Sequence, residues 1–218
     1  MHLLTTLLLA HLLADFPLQT NALAKLKRAS LTGVFIHVLI YVLITTLVMR
    51  EPARYWALIG GLGGVHFLID SIKMRYTHEQ HEQVLPRQCA HIFTCAFPLS
   101  QQSLEICYFV LDQCFHFLSI GLAAYLATVC YAKLPQSILP YEITLVAVGF
   151  ALLLAFMVFC WVWVNSLSEE QVKRHIVLQW AKHQMLALEQ SIGLLLIGFI
   201  FAAPTYQWLS NFLHSLGK

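Results

Sequence analysis

From position 31 to 49 the chain carries one histidine, His37, and no Asp, Glu, Lys or Arg, among apolar and hydroxyl-bearing side chains. Comparable apolar runs recur at about 54–73, 103–131, 141–165 and 186–203, with a shorter one at about 2–16. About twenty such residues in a helix span a hydrocarbon core of about 30 Å. In lipid every backbone N–H and C=O must be paired within the structure, so only helices or closed barrels cross it. Barrel strands alternate polar and apolar in pieces of about ten residues, whereas these runs are continuous. The pattern predicts an all-α, polytopic transmembrane helix bundle of about six helical segments. Composition agrees: 59% of the 218 residues are apolar and 11% charged, against about 25% charged in a soluble domain. Mean hydropathy is +0.70.

Prolines mark two ends, Pro17 after the first segment and Pro204 after the sixth. The run Gly60-Gly61-Leu62-Gly63-Gly64 predicts close helix contact in the third. The first segment opens Met1-His2-Leu3-Leu4 without Lys or Arg and contains His11 and Asp15. It lacks the basic start and clean apolar stretch of a signal peptide. It reads as a retained first helix, short for a full span and so tilted, partial or re-entrant. We divide the chain into a membrane core at 1–131 and C-terminal membrane helices at 132–218.

Loop charges fix an orientation. Lys25, Lys27 and Arg28 follow the first segment, Lys73, Arg75 and Arg87 the third, and Lys173, Arg174 and Lys182 the fifth. The opposite side has Arg50, Arg54, Lys133 and Lys218. The positive-inside rule puts the first set in the cytoplasm and both termini outside, in a multi-pass protein of the inner (plasma) membrane. Residues 168–184 suggest a cytoplasmic amphipathic helix lying on the headgroups, with Ser168 and Gln171 as a capping box. A helical extension of the sixth span is the competing reading. The stretch 77–102 is too long for a tight turn. Residues 74–102 and 168–184 are candidate surfaces for a cytoplasmic protein partner. A formal net charge of +2 gives no reason to expect nucleic acid. Membrane lipid is the expected surrounding, and homo-oligomerisation stays open. Six cysteines, mostly within or beside spans, fit no disulfide framework.

Against this background the ionisable residues stand out. His11-Leu-Leu-Ala-Asp15, His37, His66-Phe-Leu-Ile-Asp70 and Asp112-Gln-Cys-Phe-His116 lie in four different apolar segments. Each such group inside a span costs roughly 2.5–3.5 kcal/mol on insertion scales. Spacing of i to i+4 puts both members of a pair on one helical face. The segments alternate in direction, and His11, Asp15, His66 and Asp70 fall late in theirs, while His37, Asp112 and His116 fall early. All seven therefore come to about the same depth, near the cytoplasmic face. Imidazole nitrogen with carboxylate oxygen suits divalent Zn, Mn, Fe or Co. Three clustered carboxylates repel unless they are protonated or a cation neutralises them. Seven donors exceed one tetrahedral ion, so either some orient others or two ions share the site.

We assign His11, Asp15, His66, Asp70 and His116 as metal ligands. Asp112 and His37 are assigned as ligand, general base or supporting group, the catalytic candidates. Gln19, Lys73 and Gln113 are supporting polar neighbours, with Lys73 one turn below Asp70 as its counter-ion. Glu189 enters the last span from the same side. Cys89-Ala-His91 with Cys95 fits no standard zinc spacing, and His78-Glu-Gln-His81-Glu82 reads as a solvated loop. Phosphate-binding loops, dinucleotide fingerprints, the Gly-x-Ser-x-Gly elbow and the His-Glu-x-x-His motif are missing from the sequence.

The segments His11-Leu-Leu-Ala-Asp-Phe-Pro-Leu-Gln19, His66-Phe-Leu-Ile-Asp-Ser-Ile-Lys73 and Leu111-Asp-Gln-Cys-Phe-His116 also resemble the signatures of a bacterial membrane family, domain of unknown function 3307. The resemblance covers about residues 1–125. It implies a multi-pass bacterial membrane protein and supplies no activity.

Three classes of function follow from the residues. The first is a metal-dependent membrane hydrolase of a lipid or lipid-linked substrate, with a diiron oxygenase as a variant; intramembrane oxygenases usually carry more histidine and fewer carboxylates. The second is a divalent-cation or proton transporter or channel. Its weakness is that all the candidate ligands hug one side, with no polar trail onward and no clear inverted repeat. The third is a membrane-anchored regulatory or binding module stapled by a structural metal.

Overall fold

A computed structural model of the chain describes residues 2–81, 101–167 and 169–216. These form eight α-helices and no strand. They are α1 (His2–Asp15), α2 (Asn21–Ala29), α3 (Leu31–Val48), α4 (Trp56–His81), α5 (Gln101–Cys130), α6 (Tyr141–Ser166), α7 (Glu169–Lys173) and α8 (Ile176–Leu216). A 3₁₀ turn at Pro52–Tyr55 leads into α4. α3, the stretch Pro52–Arg75, and most of α5 and α6 are long and apolar enough to cross a membrane, and the bent first half of α8 makes a fifth candidate.

Leucine and alanine occur on every side of helix α1, around the His11–Asp15 pair, and a helix so apolar is stable only when surrounded. Its Leu7, Leu9, Ala10, Leu12 and Ala14 are fully buried, in contact with α3, α5 and α6. Fourteen residues span about 21 Å at 1.5 Å each, less than the bilayer core. The first helix is thus the short central post of the bundle rather than a lipid-facing span.

The surrounding helices carry the reverse of a soluble pattern. In α4, Ile59, Leu62, His66 and Asp70 face inward at helical spacing while Val65, Leu68 and Ile72 lie exposed. In α5, Asp112, His116, Ile120 and Ala127 face inward, and Phe115, Leu118, Leu122 and Val129 outward. In α3, His37 and Tyr41 turn inward and Phe35, Leu39 and Leu43 outward. Exposed apolar surface of this extent is what a membrane-spanning bundle would turn to lipid, and the polar side chains are left to meet inside.

Glycine contact in α4 is narrower than the sequence suggests. A Cβ on Gly63 would meet Val42 of α3 at 2.6 Å, whereas Gly60, Gly61 and Gly64 face open space.

The segment after Pro17 folds into α2 instead of a simple loop. The Thr20 side chain accepts from Leu23 N at 3.3 Å to start it. Ser30 then serves two helices, its N–H donating to Leu26 O and its hydroxyl accepting from Gly33 N at 3.1 Å. The hairpin is so tight that a Cβ on Gly33 would sit 2.2 Å from Leu26 O. Only glycine permits this return, and it lays α2 along α3 and α4.

The far end of the bundle is tied by backbone. Arg50 N donates to Gln136 O at 2.7 Å and Ile138 N to Val48 O at 2.8 Å, which locks the α5–α6 loop to the end of α3. Buried residues of α6 and α8 join the same apolar core as α1. Gly193 of α8 presses on Pro17, where a Cβ would come within 2.1 Å.

Helix α8 departs from expectation in two ways. It runs on through Pro204 to Leu216: a proline removes one backbone hydrogen bond, a loss that a long membrane helix can absorb. The 168–184 stretch is helical in two pieces, α7 and the start of α8, with Ser168 outside the described residues. The second piece joins the span at a 47° bend near Met185.

Candidate metal centre

Four helices deliver the seven groups to one place. α1 brings His11 and Asp15 from its C-terminal half and α3 brings His37 from its first half, while α4 and α5 bring His66, Asp70, Asp112 and His116 from near their middles. His11, Asp15, His37, His66, Asp70, Asp112 and His116 are all at most 7% exposed. Every one of the seven residues singled out in the sequence is therefore in the cluster.

Two donor triangles are visible. In the first, Asp15 Oδ1, His37 Nε2 and His66 Nε2 stand 3.2, 3.5 and 3.1 Å apart. Ligands about 2.0–2.1 Å from a tetrahedral zinc lie about 3.3 Å from one another, so these are the edges of one face of such a shell. In the second, His116 Nε2 lies 3.6 Å from both Asp70 Oδ1 and Asp112 Oδ1. None of those three atoms makes a hydrogen bond. Buried polar atoms nearly always find a partner. Three orphans facing each other at this spacing suit a cation about 2.2 Å from each.

Asp70 joins the triangles. Its Oδ1 faces His116, while its Oδ2 lies 3.3 Å from His66 Nε2 and 3.6 Å from His37 Nε2. One carboxylate thus offers an oxygen to each. His11, His66 and His116 form a further donor triad beside them. His11 Nδ1 lies 3.5 Å from Asp15 Oδ1. The walls are aromatic: Tyr41 stacks on His66 at 4.6 Å, and Phe117 meets His11 edge-on at 5.6 Å.

Four half-buried polar side chains form the rim. Gln113 donates to Asp15 Oδ2 and Asp112 Oδ2, both at 3.4 Å, and its Oε1 lies 3.4 Å from His11 Nε2. Lys73 pairs with Asp112 Oδ2, not with Asp70 as the one-turn spacing suggests. Gln19 accepts from Lys27 Nζ at 3.3 Å.

Lys27 is the residue that sequence reasoning missed. Its Nζ sits 2.8 Å from Asp70 Oδ2, with the side chain 11% exposed. Burial works to lower its pKa, but Asp70, Asp15 and Asp112 outweigh that and hold it above the ordinary lysine value. It is a charged group of the site, not a loop charge. The signal was local: Thr20 and Ser30 bracket a helix in which Leu23 and Lys27 share a face.

Glu189 is buried with Oε1 unpaired, one turn from the Gly193–Pro17 contact. It takes no part in the donor triads. Cys89, His91 and Cys95 lie outside the described residues, as does Glu82.

Neither the curated proteins nor the solved structures include a match to this chain. A family pattern does match, over residues 3–146. It runs past the 1–125 anticipated from the motifs and takes in all four helices that bear the site. The chain belongs to the family described as protein of unknown function (DUF3307).

Proposed function

We propose that the protein is a membrane-embedded, metal-dependent hydrolase acting on a lipid or lipid-linked ester at the cytoplasmic interface. The observation that carries this reading is the pair of donor triangles, with Asp70 a corner of one and its second oxygen beside the other. Asp15, His37 and His66 would hold one divalent ion and Asp70, Asp112 and His116 a second. Both Asp112 and His37 are then ligands in the first place. His11 and Gln113 orient them through Asp15, as outer partners of a metal site commonly do. Zn, Mn and Fe all suit mixed imidazole and carboxylate donors.

Such ions lower the pKa of a held water toward about 7 and polarise a carbonyl or phosphoryl oxygen. The chain's own part is to fix the donors on rigid helices, to exclude bulk water with Tyr41 and Phe117, and to open the rim at Gln19, Lys27, Lys73 and Gln113. The positive-inside rule favours a cytoplasmic position for that rim, at headgroup depth, where a lipid's ester groups lie.

The test is hydrolysis by purified protein in lipid–detergent micelles, across lipid esters and phosphoesters. A chelator should abolish turnover and Zn or Mn restore it, while His116→Ala should lose at least tenfold in kcat/KM. Turnover that survives chelation would contradict the proposal.

A further inference from the structure

Lys27 and Lys73 give the site a chemistry of its own, and the inference rests on the metal-centre reading above. Both ammonium groups sit at the rim, each on a carboxylate oxygen of the cluster. With neutral imidazoles, three carboxylates and two ammonium groups leave the site one negative charge. One divalent ion turns that into one positive charge, and two ions into three. Uncompensated charge in a low-dielectric interior is strongly unfavourable. The loaded site therefore calls for an anion, and for more than a single charge if both ions are present.

Geometry selects the kind of anion. A two-ion clamp joined by one carboxylate matches the attacking and leaving oxygens of an in-line displacement. Lysine binds phosphate as a point charge. Lys27 has Gln19 as its second polar partner, at 3.3 Å. Its partner oxygen Asp70 Oδ2 is the atom that also faces His37 and His66. An ion there would compete with the ammonium for that oxygen and free it to meet the ligand.

We infer that Lys27, with Lys73 beside it, binds the phosphoryl group of a phosphoester, so that the substrate is a phosphate ester rather than a carboxylic ester. In the hydrolysis, the oxygen of water joins phosphorus as the bond from phosphorus to the alcohol oxygen breaks. The electron pair leaves with the alcohol oxygen, which takes one proton from the water. The other hydrogen stays on the phosphate. The phosphoryl group belongs to a lipid headgroup or to a soluble ester, and the two arms of the test separate these sources.

The experiment is 31P line broadening by full-length protein loaded with Mn2+ and freed of excess ion, in phosphate-free detergent. One arm uses inorganic phosphate and the other a short-chain phosphatidate. Both should broaden, and broadening at lower phosphatidate concentration marks the lipid as the source. Lys27→Gln should retain Mn2+ and weaken the effect about tenfold or more, the worth of a hydrogen bond to a charged group. If Lys27→Gln does not fold, the more exposed Lys73→Gln should weaken it severalfold. Bound Mn2+ with no broadening overturns this inference alone. So does equal broadening in the variants, because loss of an ammonium group that meets the phosphoryl group must weaken phosphate binding. A wild-type protein that holds no Mn2+ overturns the metal reading and this inference together.

Discussion

Asp70 is the residue on which the site turns. It faces both donor triangles and is the partner of Lys27. In chelated protein, Asp70→Asn takes the paired carboxylate from a largely buried ammonium group and leaves it only the more distant Asp15 and Asp112. Breaking such a pair from one side costs about 3–5 kcal/mol, which thermal unfolding in detergent should register as a clear fall in Tm. Adding Lys27→Met should restore more than half of the loss. The same decrease in both variants would mean that the ion pair is not what fails. The histidines and aspartates of this cluster were legible in the sequence because each is an expensive exception in an apolar helix. Lys27 was not, because lysine beside a membrane span is ordinary. What makes it unusual is a fold-dependent fact, the hairpin that turns it inward.

At the level of elements, that hairpin depends on Gly33. Gly33→Ala would drive a Cβ against the Leu26 carbonyl, so α2 must move. The expected cost is about 1–3 kcal/mol or more, as for other overpacked contacts. Gly60→Ala, on an open face of α4, should be neutral or stabilise by up to about 1 kcal/mol through helix propensity. Comparing the two Tm values checks both, and equal effects would contradict the packing. Hydropathy located every long helix among the described residues, because lipid demands continuous apolar length. The caps at Thr20 and Ser30 and the continuation through Pro204 were less legible. Both depend on which backbone groups find partners, and single-residue signals do not report that.

For the whole molecule, the seven groups meet because antiparallel helices carry early and late positions to one depth. The sequence already implied this, since direction alternates with each span. It did not imply that α1 would be the buried centre, which follows from a helix with apolar residues on every side and no length to cross alone. If the basic loops lie in the cytoplasm, a cysteine at Lys25 should resist an impermeant maleimide in intact cells and one at Lys133 should react. The background for this test needs the native cysteines replaced. Reversed labelling would place the site at the outer face.

The central claim is that these side chains hold divalent metal. Elemental analysis of protein purified without added metal, wild type beside His66→Ala, tests it directly. The account predicts one to two equivalents of Zn, Mn or Fe per chain in the wild type and a loss of at least half in the variant. Wild-type protein with no more metal than His66→Ala would contradict it.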